Sequence, residues 1–409
     1  MAKEFKDLIV GLDIGTAKIM VVVAEVLPGG DLRLAGLGGA PSNGLKRGVV
    51  VNIDATVSSI QQALKEAELM ADCKIGRVYT GITGSHIRGI NSSGMVAVRS
   101  KEVSEVDVRH VVETAKAINI SSDQRLLLVE PQEFIIDGQD VREPVGMSGM
   151  RLEAKVHIVT GAQSAAENIV KCVRRCGLDV DQLLLNPLAS SHAVLTDDER
   201  ELGVVCVDIG AGTTDVAIFS GGSIRHTAVV PIAGDLITSD IAMALRTPTM
   251  DAEDIKVAHG CAKQLLADPE VQVEVPGLGD RTPRMLSKQA LAGVIEPRVE
   301  EIFQLVQQVI RESGFEEILS SGVVLTGGSS VMPGMIELGE DIFLKPVRRG
   351  VPKYSRALSD MVAQPRAATV MGLLEEARLA RLRGFKAAQK SSGVKSAFGR
   401  VRDFIVGNF

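Results

Sequence analysis

Two short segments of the sequence place an aspartate directly before a glycine-containing turn, and this arrangement could bind a metal-bound phosphate. The segments are VGLDIGTAKIMVVVAEV, from Val10 to Val26, and VCVDIGAGTTDVAIF, from Val205 to Phe219. Each predicts an apolar strand, a tight turn and a second strand. The carboxylates of Asp13 and Asp208 stand beside these turns, where they could hold a hydrated Mg²⁺ that neutralises phosphate.

The turns themselves could supply the hydrogen-bond donors that a phosphate chain requires. Backbone N–H groups approach a phosphate closely where the residues are small, which favours glycine. The candidate contacts are Gly15, Thr16, Ala17 and Lys18 in the first segment, and Gly210, Ala211, Gly212, Thr213 and Thr214 in the second. Either segment alone could be an ordinary β-turn, because Asp and Gly are common turn residues. Two matching segments in matching halves favour the phosphate site.

A third glycine-rich segment could lie flat beside a nucleoside. It is GVVLTGGSSVMPGM, from Gly322 to Met335, where an apolar strand ends at Gly327, Gly328 and Ser329. Glycines there let the backbone pass close to a ligand, and a helix that begins after Pro333 would have its N-terminus behind them. Alone, the segment could also be a plain strand-to-helix turn, which is common in α/β folds.

The elements that follow the two aspartate turns repeat in the same order, which predicts a duplicated α/β domain. After the first turn come a strand candidate at Leu32 to Leu37 and a helix candidate at Ala55 to Met70. After the second turn come a strand candidate at Ile224 to Val230 and a helix candidate at Asp235 to Leu245. Both halves therefore follow one β-β-β-α plan.

A stretch between the two copies fits neither of them and is predicted to be an inserted α+β subdomain. It runs from Ser85 to roughly Thr160 and begins with the segment GSHIRGINSSGMVAV. Its predicted elements are a helix from Ser104 to Asn119 and strands from Arg125 to Ile136 and from Arg151 to Thr160.

A second, smaller insertion is predicted within the second half. It runs from Met250 to roughly Thr282 and ends in the Pro- and Gly-rich loop PGLGDRTP. A long helix is predicted to follow from Lys288 to Ser313, because its apolar residues recur at helical spacing. Pro297 is expected to kink this helix or to mark its true start.

The C-terminal end of the chain is basic and amphipathic. From Ala377 to Phe409 there are eight Lys or Arg residues against one acid. We expect residues 377–393 to be a flexible linker and residues 394–409 to form a helix on an anionic membrane surface. The predicted membrane-binding residues are Val394, Phe398, Arg400, Val401, Arg402, Phe404, Ile405 and Phe409. Packing of this helix on the protein's own body, or on a calmodulin-like receptor, would be the alternatives.

Composition excludes several other classes of function. The net charge of -6 and the absence of Trp argue against a nucleic-acid-binding protein, which would usually be basic. Five cysteines without a C-x-x-C pair predict reduced thiols in the cytosol. No apolar run reaches the ~18 residues of a spanning helix, so that membrane contact is expected to be peripheral. A P-loop motif is also absent.

Together, the three glycine-rich segments resemble the nucleotide site of the actin, sugar kinase and heat-shock ATPase superfamily, and GSHIRGINSSGMVAV resembles the characteristic insert of the FtsA family. The resemblance implies an α/β fold of the actin-like, ribonuclease H-like type, with duplicated domains around a nucleotide cleft and an inserted α+β subdomain. It also implies ATP and Mg²⁺ as cofactors. The implied domains are 1–84 with 161–195, the insert 85–160, the second domain 196–249 with 312–376, and its smaller subdomain 250–311.

The resemblance gives roles to further residues. The segment Gly177 to Leu195 resembles the helix that connects the two domains, and Gly234 resembles part of a turn that flanks the nucleotide. Glu253 and Lys256 resemble positions that contact the adenosine end. Asn186 stands where related hydrolases carry a Gln or Glu that orients the attacking water; because Asn is shorter and a poor base, slow turnover is expected. If hydrolysis occurs, the catalytic candidates are Asp13, Asn186 and Asp208.

The resemblance implies a cell-division protein at the cytoplasmic face of the bacterial inner membrane. Such a protein polymerises, tethers FtsZ filaments to the membrane at the division site and recruits later division proteins. The C-terminal tail of FtsZ would dock on the smaller subdomain, around Met250 to Arg311. One alternative is a PilM-like platform protein of the type IV pilus, which shares the aspartate turns but generally lacks the basic amphipathic end. Another is a small-molecule kinase of the sugar kinase type, which would need a carboxylate base.

Overall fold

The computed structural model describes residues 7–279, 281–353 and 362–389, and for residues 383–389 it describes the backbone alone. The predicted membrane helix at residues 394–409 lies outside the described residues. Within the described part of the chain, no helix combines the length and the apolar character needed to cross a lipid bilayer.

The first half of the chain begins with three antiparallel strands and one long helix. Its elements before the insertion are β1 (Leu8–Ile14), β2 (Lys18–Val26), β3 (Leu32–Pro41), β4 (Leu45–Lys46), β5 (Val49–Val50), α1 (Ile53–Ala71) and β6 (Arg77–Ile82). The side chain of Asn52 caps α1 by accepting a hydrogen bond from the N–H of Ala55 at 3.0 Å. This cap explains why the helix begins two residues before its predicted start.

The insertion folds as a four-stranded antiparallel sheet with one helix packed on it. Its elements are β7 (Arg88–Ala97), α2 (Glu105–Lys116), β8 (Gln124–Ile136), β9 (Gln139–Val141) and β10 (Arg151–Ala162), in the sheet order β7-β10-β8-β9. A separate apolar core lies between α2 and the sheet, with Val111, Phe134 and Leu152 at its centre. The subdomain therefore has a core of its own, as an independent structural unit requires.

The chain then returns to the first half with α3 (Gln163–Arg175), β11 (Asp179–Leu185) and α4 (Asn186–Val194). The completed sheet has the order β11-β6-β1-β2-β3, in which β1, β6 and β11 are parallel and β1, β2 and β3 are antiparallel neighbours. Strand β2 is buried from Ile19 to Val26, because α1 covers one face of the sheet and a C-terminal helix covers the other.

The second half repeats this plan. Its elements are α5 (Asp197–Leu202), β12 (Val204–Ile209), β13 (Thr214–Ser220), β14 (Ser223–Val230), α6 (Gly234–Leu245), α7 (Thr249–His259), β15 (Gln272–Val275), β16 (Arg284–Ser287), α8 (Lys288–Ser313), β17 (Val323–Thr326), α9 (Met335–Phe343), β18 (Val347–Arg349) and α10 (Ala368–Gln389). The sheet has the order β14-β13-β12-β17-β18, with the same antiparallel hairpins and parallel strands as the first. The predicted duplicated α/β fold is therefore confirmed.

The connecting segment is only partly helical, so the prediction of a helix from Gly177 to Leu195 is wrong for its first half. Gly177 ends the preceding helix in the left-handed region, at φ +79°. Residues Asp179 to Leu185 then pair in parallel with β6 as strand β11. The helix begins only at Asn186, with proline in its first turn, where proline is favoured.

The prediction of a flexible linker at residues 377–393 is also wrong as far as residue 389, because α10 continues to Gln389. The guanidinium of Arg378 bonds Glu375 one turn earlier and the carbonyl of Gly30, while Leu382 lies against Gly30. These contacts hold a segment whose basic composition suggested a solvated linker. Residues 390–393 of the predicted linker lie outside the described residues.

The long helix α8 keeps its predicted bounds and continues through Pro297, so the alternative that Pro297 marks its start is wrong. The hydroxyl of Ser287 caps the true start by accepting a hydrogen bond from the N–H of Ala290 at 3.2 Å. Its buried apolar residues, from Leu291 to Ile310, then lie in the apolar core of the second half.

Two crossed helices join the halves. Helix α4 follows the first sheet in the chain but packs on the second, through Val194 and Leu195. Helix α10 follows the second sheet but packs on the first, through Val370 and Leu374. The crossing is very close, because a Cβ on Gly372 would lie 1.7 Å from the carbonyl oxygen of Ala189.

This close crossing predicts that Gly372→Val will destabilise the protein. The added side chain has no room against the α4 backbone, so we expect the free energy of unfolding to fall by about 1–3 kcal/mol. Urea unfolding would measure the change. Gly76→Val is the matched control, since a Cβ on Gly76 meets nothing within 4 Å. Equal stabilities of the two variants would contradict the packing described.

Candidate functional site

A cavity of about 430 Å³ lies between the two halves. Most of the predicted site residues line it: Asp13, Gly15, Thr16, Ala17, Lys18, Asn186, Asp208, Gly210, Ala211, Gly212, Thr213, Glu253, Lys256, Gly327, Gly328 and Ser329. The exceptions are Thr214 and Gly234, which do not line the cavity but lie next to residues that do. The hydroxyl of Thr214 donates to the carbonyl of Ile232 at 2.7 Å, and the N–H of Gly234 donates to the carbonyl of Gly210 at 3.2 Å.

The two aspartate turns meet across this cavity. A Cβ on Gly212 would lie 2.6 Å from the hydroxyl oxygen of Thr16, so the second turn approaches the first as closely as glycine permits. The same hydroxyl accepts a hydrogen bond from the N–H of Gly48 at 3.0 Å. Arg47, in the left-handed region at φ 49°, brings this loop against Gly212.

The turns share one geometry and leave donors available. In the first, the N–H of Gly15 donates to the carbonyl of Lys18 at 3.0 Å; in the second, the N–H of Gly210 donates to the carbonyl of Thr213 at 3.0 Å. Four N–H groups between these anchors donate to no described residue, and their residues line the cavity: Thr16, Ala17, Ala211 and Gly212. Unpaired amides at successive positions of a turn bind anions.

Three buried carboxylates face the cavity, those of Asp13, Asp208 and Asp215. Burial raises the pKa of Asp13, an effect that the nearby charge of Lys18 opposes. Burial and the charge of Asp13 raise the pKa of Asp208 to about 6. Burial and the charge of Asp208 raise the pKa of Asp215 well above its usual range. A divalent cation would favour the charged forms of all three groups.

Asp215 is a site residue that the sequence analysis missed. In the β12–β13 hairpin, Asp208 and Asp215 are direct cross-strand partners, so their side chains project from the same face of the sheet. In the first hairpin the partner of Asp13 is Met20 instead. The sequence did contain a signal for Asp215. Counting outward from the turn along both strands of the hairpin pairs Asp215 with Asp208.

Hydroxyl groups and a glycine hold these carboxylates in place. The Thr83 hydroxyl donates to Asp215 from the opposite half of the molecule. The Thr369 hydroxyl donates to Asp208 at 3.2 Å. Gly327, at φ +85°, lies so close to Asp208 that a Cβ would stand 2.3 Å from its Oδ1. Any larger residue at 327 would displace the Asp208 carboxylate.

Two lysines lie at the cavity in different environments. Lys18 donates to the carbonyl of Arg366, and its Nζ lies 2.6 Å from the sulfur of Met20. Burial lowers the pKa of Lys18, while the charge of Asp13 opposes that effect. Lys256 bonds Glu253 at 2.6 Å, the Thr238 hydroxyl at 2.8 Å and the carbonyl of Gly234 at 3.2 Å.

The Glu253–Lys256 pair ties α7 to the start of α6 and so to the second turn. The N–H of Asp235 donates to the carbonyl of Ala211 at 2.8 Å, and the Ser329 hydroxyl donates to the carbonyl of Gly210 at 2.9 Å. Three loops distant in sequence are thus fixed around one end of the cavity. Apolar contact at this end comes from the exposed side chain of Val257 and from Met332.

Asn186 lies at the first position of α4 and is 8% exposed. Its Oδ1 is buried without a hydrogen-bond partner among the described residues. The same atom lies against Gly81, where a Cβ would stand 2.0 Å away. The amide is therefore close-packed at the cavity wall, with its carbonyl oxygen against Gly81.

Several other lining residues carry no sequence signal of their own. These are Gly48, Thr83, Val257, Gln364, Arg366 and Thr369. They come from loops and helices remote from the glycine motifs, and only the tertiary fold brings them to the cavity. No group of three or more His, Cys, Asp or Glu side chains in the described residues could hold a metal ion. A Mg²⁺ at Asp13 and Asp208 would therefore take further ligands from water and phosphate, as Mg²⁺ usually does.

Known sequences similar to this chain are cell-division proteins. Residues 205–372 match the family described as "Cell division protein FtsA", and residues 84–160 match the "SHS2 domain inserted in FTSA". The chain is 52% identical to the cell division protein FtsA of Pseudomonas aeruginosa over 409 residues, covering 98% of each. It is 46% identical to that of Escherichia coli K12 over 393 residues, covering 94% of each.

Solved structures with the same fold are more distant in sequence. A PilM-PilN type IV pilus biogenesis complex matches with a TM-score of 0.64 and 20% identity, covering 91% of this chain and 98% of that one. MreB 5 of Spiroplasma citri bound to AMPPNP matches with a TM-score of 0.57 and 14% identity, covering 93% and 99%. A MamK double helical filament matches with a TM-score of 0.52 and 13% identity, covering 92% and 99%. These likenesses show the actin-like fold.

The raised pKa of Asp208 predicts a pH-dependent gain in stability for Asp208→Asn. The carboxyl has a folded pKa of about 6 and a usual value of 3.8, so the ligand-free folded state takes up a proton that the unfolded state does not. The contribution of the Asp208 carboxyl group to the free energy of unfolding of the wild type therefore falls as the pH rises through about 6. We expect Asp208→Asn to be more stable than wild type at pH 7 by on the order of 2–3 kcal/mol.

Urea unfolding between about pH 5 and about pH 7.5 would measure this difference. It should shrink as the pH is lowered, because the wild-type carboxyl becomes neutral in the folded state. A difference independent of pH would contradict the raised pKa.

Proposed function

The chain belongs to the FtsA family of cell-division proteins, and on that premise we propose that it binds Mg²⁺·ATP in the cavity between its halves. The observation that carries the proposal is the convergence of two matching turns whose unpaired N–H groups and flanking carboxylates face one another. Phosphate oxygens would accept hydrogen bonds from Thr16, Ala17, Ala211 and Gly212. The fold likeness to an MreB bound to AMPPNP supports the same site.

Each part of the nucleotide would meet side chains of suitable chemistry. Asp13 and Asp208 would hold the hydrated Mg²⁺, which lowers the repulsion between carboxylates and phosphates. Lys18 would place its charge beside the phosphate chain. Glu253 and Lys256, with the backbone of Gly327 to Ser329, would border the adenosine.

We propose that bound nucleotide acts mainly as a structural switch with slow turnover. A group that orients the attacking water must hold it within hydrogen-bond reach of the reacting phosphate. Asn186 is short, packed against Gly81 and unable to act as a base. A misplaced water of this kind costs ~10²-fold in rate.

Calorimetric titration of ATP in the presence of Mg²⁺ tests the site. Lys18→Met should weaken binding at least tenfold, which corresponds to about 1.4 kcal/mol, because one partly buried charge beside the phosphates is lost. Lys74→Met is the matched control, since Lys74 lies outside the cavity with its side chain 90% exposed. ATP binding of equal strength in wild type, Lys18→Met and Lys74→Met would place the nucleotide elsewhere.

We further propose peripheral attachment to the cytoplasmic face of the inner membrane at the division site. Helix α10 leads to residue 389, and the basic amphipathic segment 394–409 follows it in the sequence. Its apolar stripe would enter the interface, and its cations would add ~1 kcal/mol each on anionic lipid. Self-association into filaments would multiply these contacts; the fold likeness to the MamK filament supports such assembly.

Deletion of residues 394–409 should abolish flotation of the protein with anionic liposomes. The apolar burial and the attraction to anionic lipid are both lost, while the described body is left intact. Wild-type protein on vesicles of neutral lipid alone is the control and should bind more weakly. Undiminished flotation of the truncated protein would reject the tail as the anchor.

The proposed partners are FtsZ, further copies of this chain and later division proteins. For the FtsZ tail we propose the smaller subdomain, around residues 250–311. Exposed apolar side chains there offer a peptide contact: Leu265 is 84% exposed, Met285 is 60% exposed and Leu266 is 52% exposed. The FtsA relatives at 46–52% identity favour this function over that of a pilus platform, whose PilM likeness is 20% identical.

A further inference from the structure

The inserted subdomain contacts the second half of the molecule as well as the first. Strands β7, β8 and β10 lie against β14, the edge strand of the second sheet, and we call this contact the seam. The Asn91 side chain donates from Nδ2 to the carbonyl of Arg225 at 3.0 Å. The Gln132 side chain donates to the carbonyls of Ile224 at 2.9 Å and Arg225 at 3.2 Å.

A fully buried histidine lies at the centre of the seam. His157 Nδ1 lies 2.6 Å from the Asn91 Oδ1, and its Nε2 lies 2.9 Å from the Thr227 hydroxyl. Because Asn91 Nδ2 already donates to Arg225, Oδ1 must accept, so His157 Nδ1 carries the proton and Nε2 accepts from Thr227. Burial lowers the pKa of His157 to about 3, so the ring is neutral at physiological pH.

Ion pairs border this hydrogen-bonded centre. Arg225 Nη1 lies 2.5 Å from Glu133 Oε1, and Lys155 lies 3.0 Å from the other carboxylate oxygen of Glu133. The Arg225 side chain is 13% exposed and the Glu133 side chain is 28% exposed, so water screens the pair only in part. Arg142 and Glu201 form a second pair between the insert and the second half.

The backbones also come very close at one point. A Cβ on Gly89 would lie 2.7 Å from the hydroxyl oxygen of Thr227 and 2.8 Å from its carbonyl oxygen. Gly89 is the second residue of β7 and follows Thr83, the residue that bonds Asp215 across the cavity, by six positions. Asp215 lies on β13, which pairs with β14. The chain at the start of the insert therefore makes two contacts with the second sheet. Thr83 contacts β13 at the cavity, and Gly89 contacts the neighbouring strand β14 at the seam.

We propose that the inserted subdomain is a clasp between the halves, and that the seam must part before the cleft can open. The halves are otherwise joined by the α4–α10 crossing, which can serve as a hinge, and by the contacts across the cavity. A hinge alone leaves the cleft free to open, whereas a second attachment on β14 restrains it. The consequence for nucleotide release rests on the proposed function.

The chemistry of the seam suits a contact that separates and re-forms. Three of its hydrogen bonds run from side chains of the insert to main-chain carbonyls of β14, and water can replace them when the surfaces part. The apolar core of the insert lies on the other side, between α2 and its own sheet, and remains covered. Parting the seam therefore leaves the apolar core of the insert covered.

Two variants open the seam by different means. Arg225→Glu places a second carboxylate beside Glu133, and Gly89→Val forces the backbones apart at Thr227. The double variant Glu133→Arg with Arg225→Glu restores an ion pair of reversed polarity. Gly76→Val is the control, since a Cβ on Gly76 meets nothing within 4 Å.

Hydrogen exchange of the full-length protein without nucleotide is the first measurement. We expect faster exchange in peptides that carry Thr83 and Asp215 for both opening variants, wild-type exchange for the control, and a return toward wild type in the charge-swapped double variant. Wild-type exchange at Thr83 and Asp215 in both opening variants would overturn the clasp, whether or not ATP binds.

The rate at which a fluorescent ATP analogue dissociates is the second measurement. Both opening variants should release it about tenfold faster, the factor that one lost charge-assisted hydrogen bond produces. If wild type binds the analogue and the opening variants release it at the wild-type rate, the clasp does not restrain the cleft. If wild type binds no ATP, the proposed nucleotide function fails, and the exchange experiment alone decides the clasp.

Discussion

The rest of the structure depends on the repulsion among three carboxylates buried around one cavity. Asp13 comes from one sheet, and Asp208 and Asp215 come from the other, and each raises the energy of its neighbours' charged forms. Such a group stays in place only where the backbone behind it is rigid. Two buried hairpins, tied to one another through Thr16, Gly48 and Gly212, supply that rigidity. The same concentration of negative charge would attract a dication and its anionic partner.

Much of this arrangement could be predicted from the sequence, because it follows from local patterns. The aspartate turns, the β-β-β-α repeat and the insert all have apolar periodicity and turn residues that physical rules recognise. Asp13 and Asp208 were predicted because a carboxylate before a glycine turn has a recognisable chemistry. The bounds of α8 were predicted from helical spacing alone, and only the role of Pro297 remained open.

The failures arose where tertiary contacts outweigh local pattern. Leu183 to Leu185 could belong to a helix or a strand, and only pairing with β6 decides. Residues 377–389 have the composition of a solvated basic linker. In the structure, however, Arg378 hydrogen-bonds to Glu375 and Leu382 packs against Gly30. Thr83 reaches the cavity from a strand end that has no motif. Asp215 differs, since counting the hairpin register would have found it.

Helix α10 forms half of the proposed hinge, and it also leads toward the proposed membrane-binding segment, residues 394–409. Its 22 residues span about 33 Å, and its first turns are fixed at the crossing with α4. Because Arg378 and Leu382 hold the helix to Gly30, it would turn with the first half, and a rotation of about 10° about the crossing at Gly372 would move residue 389 by about 4 Å. Leverage of this kind would convert a change in the angle between the halves into a displacement or tilt of the whole body relative to the bilayer.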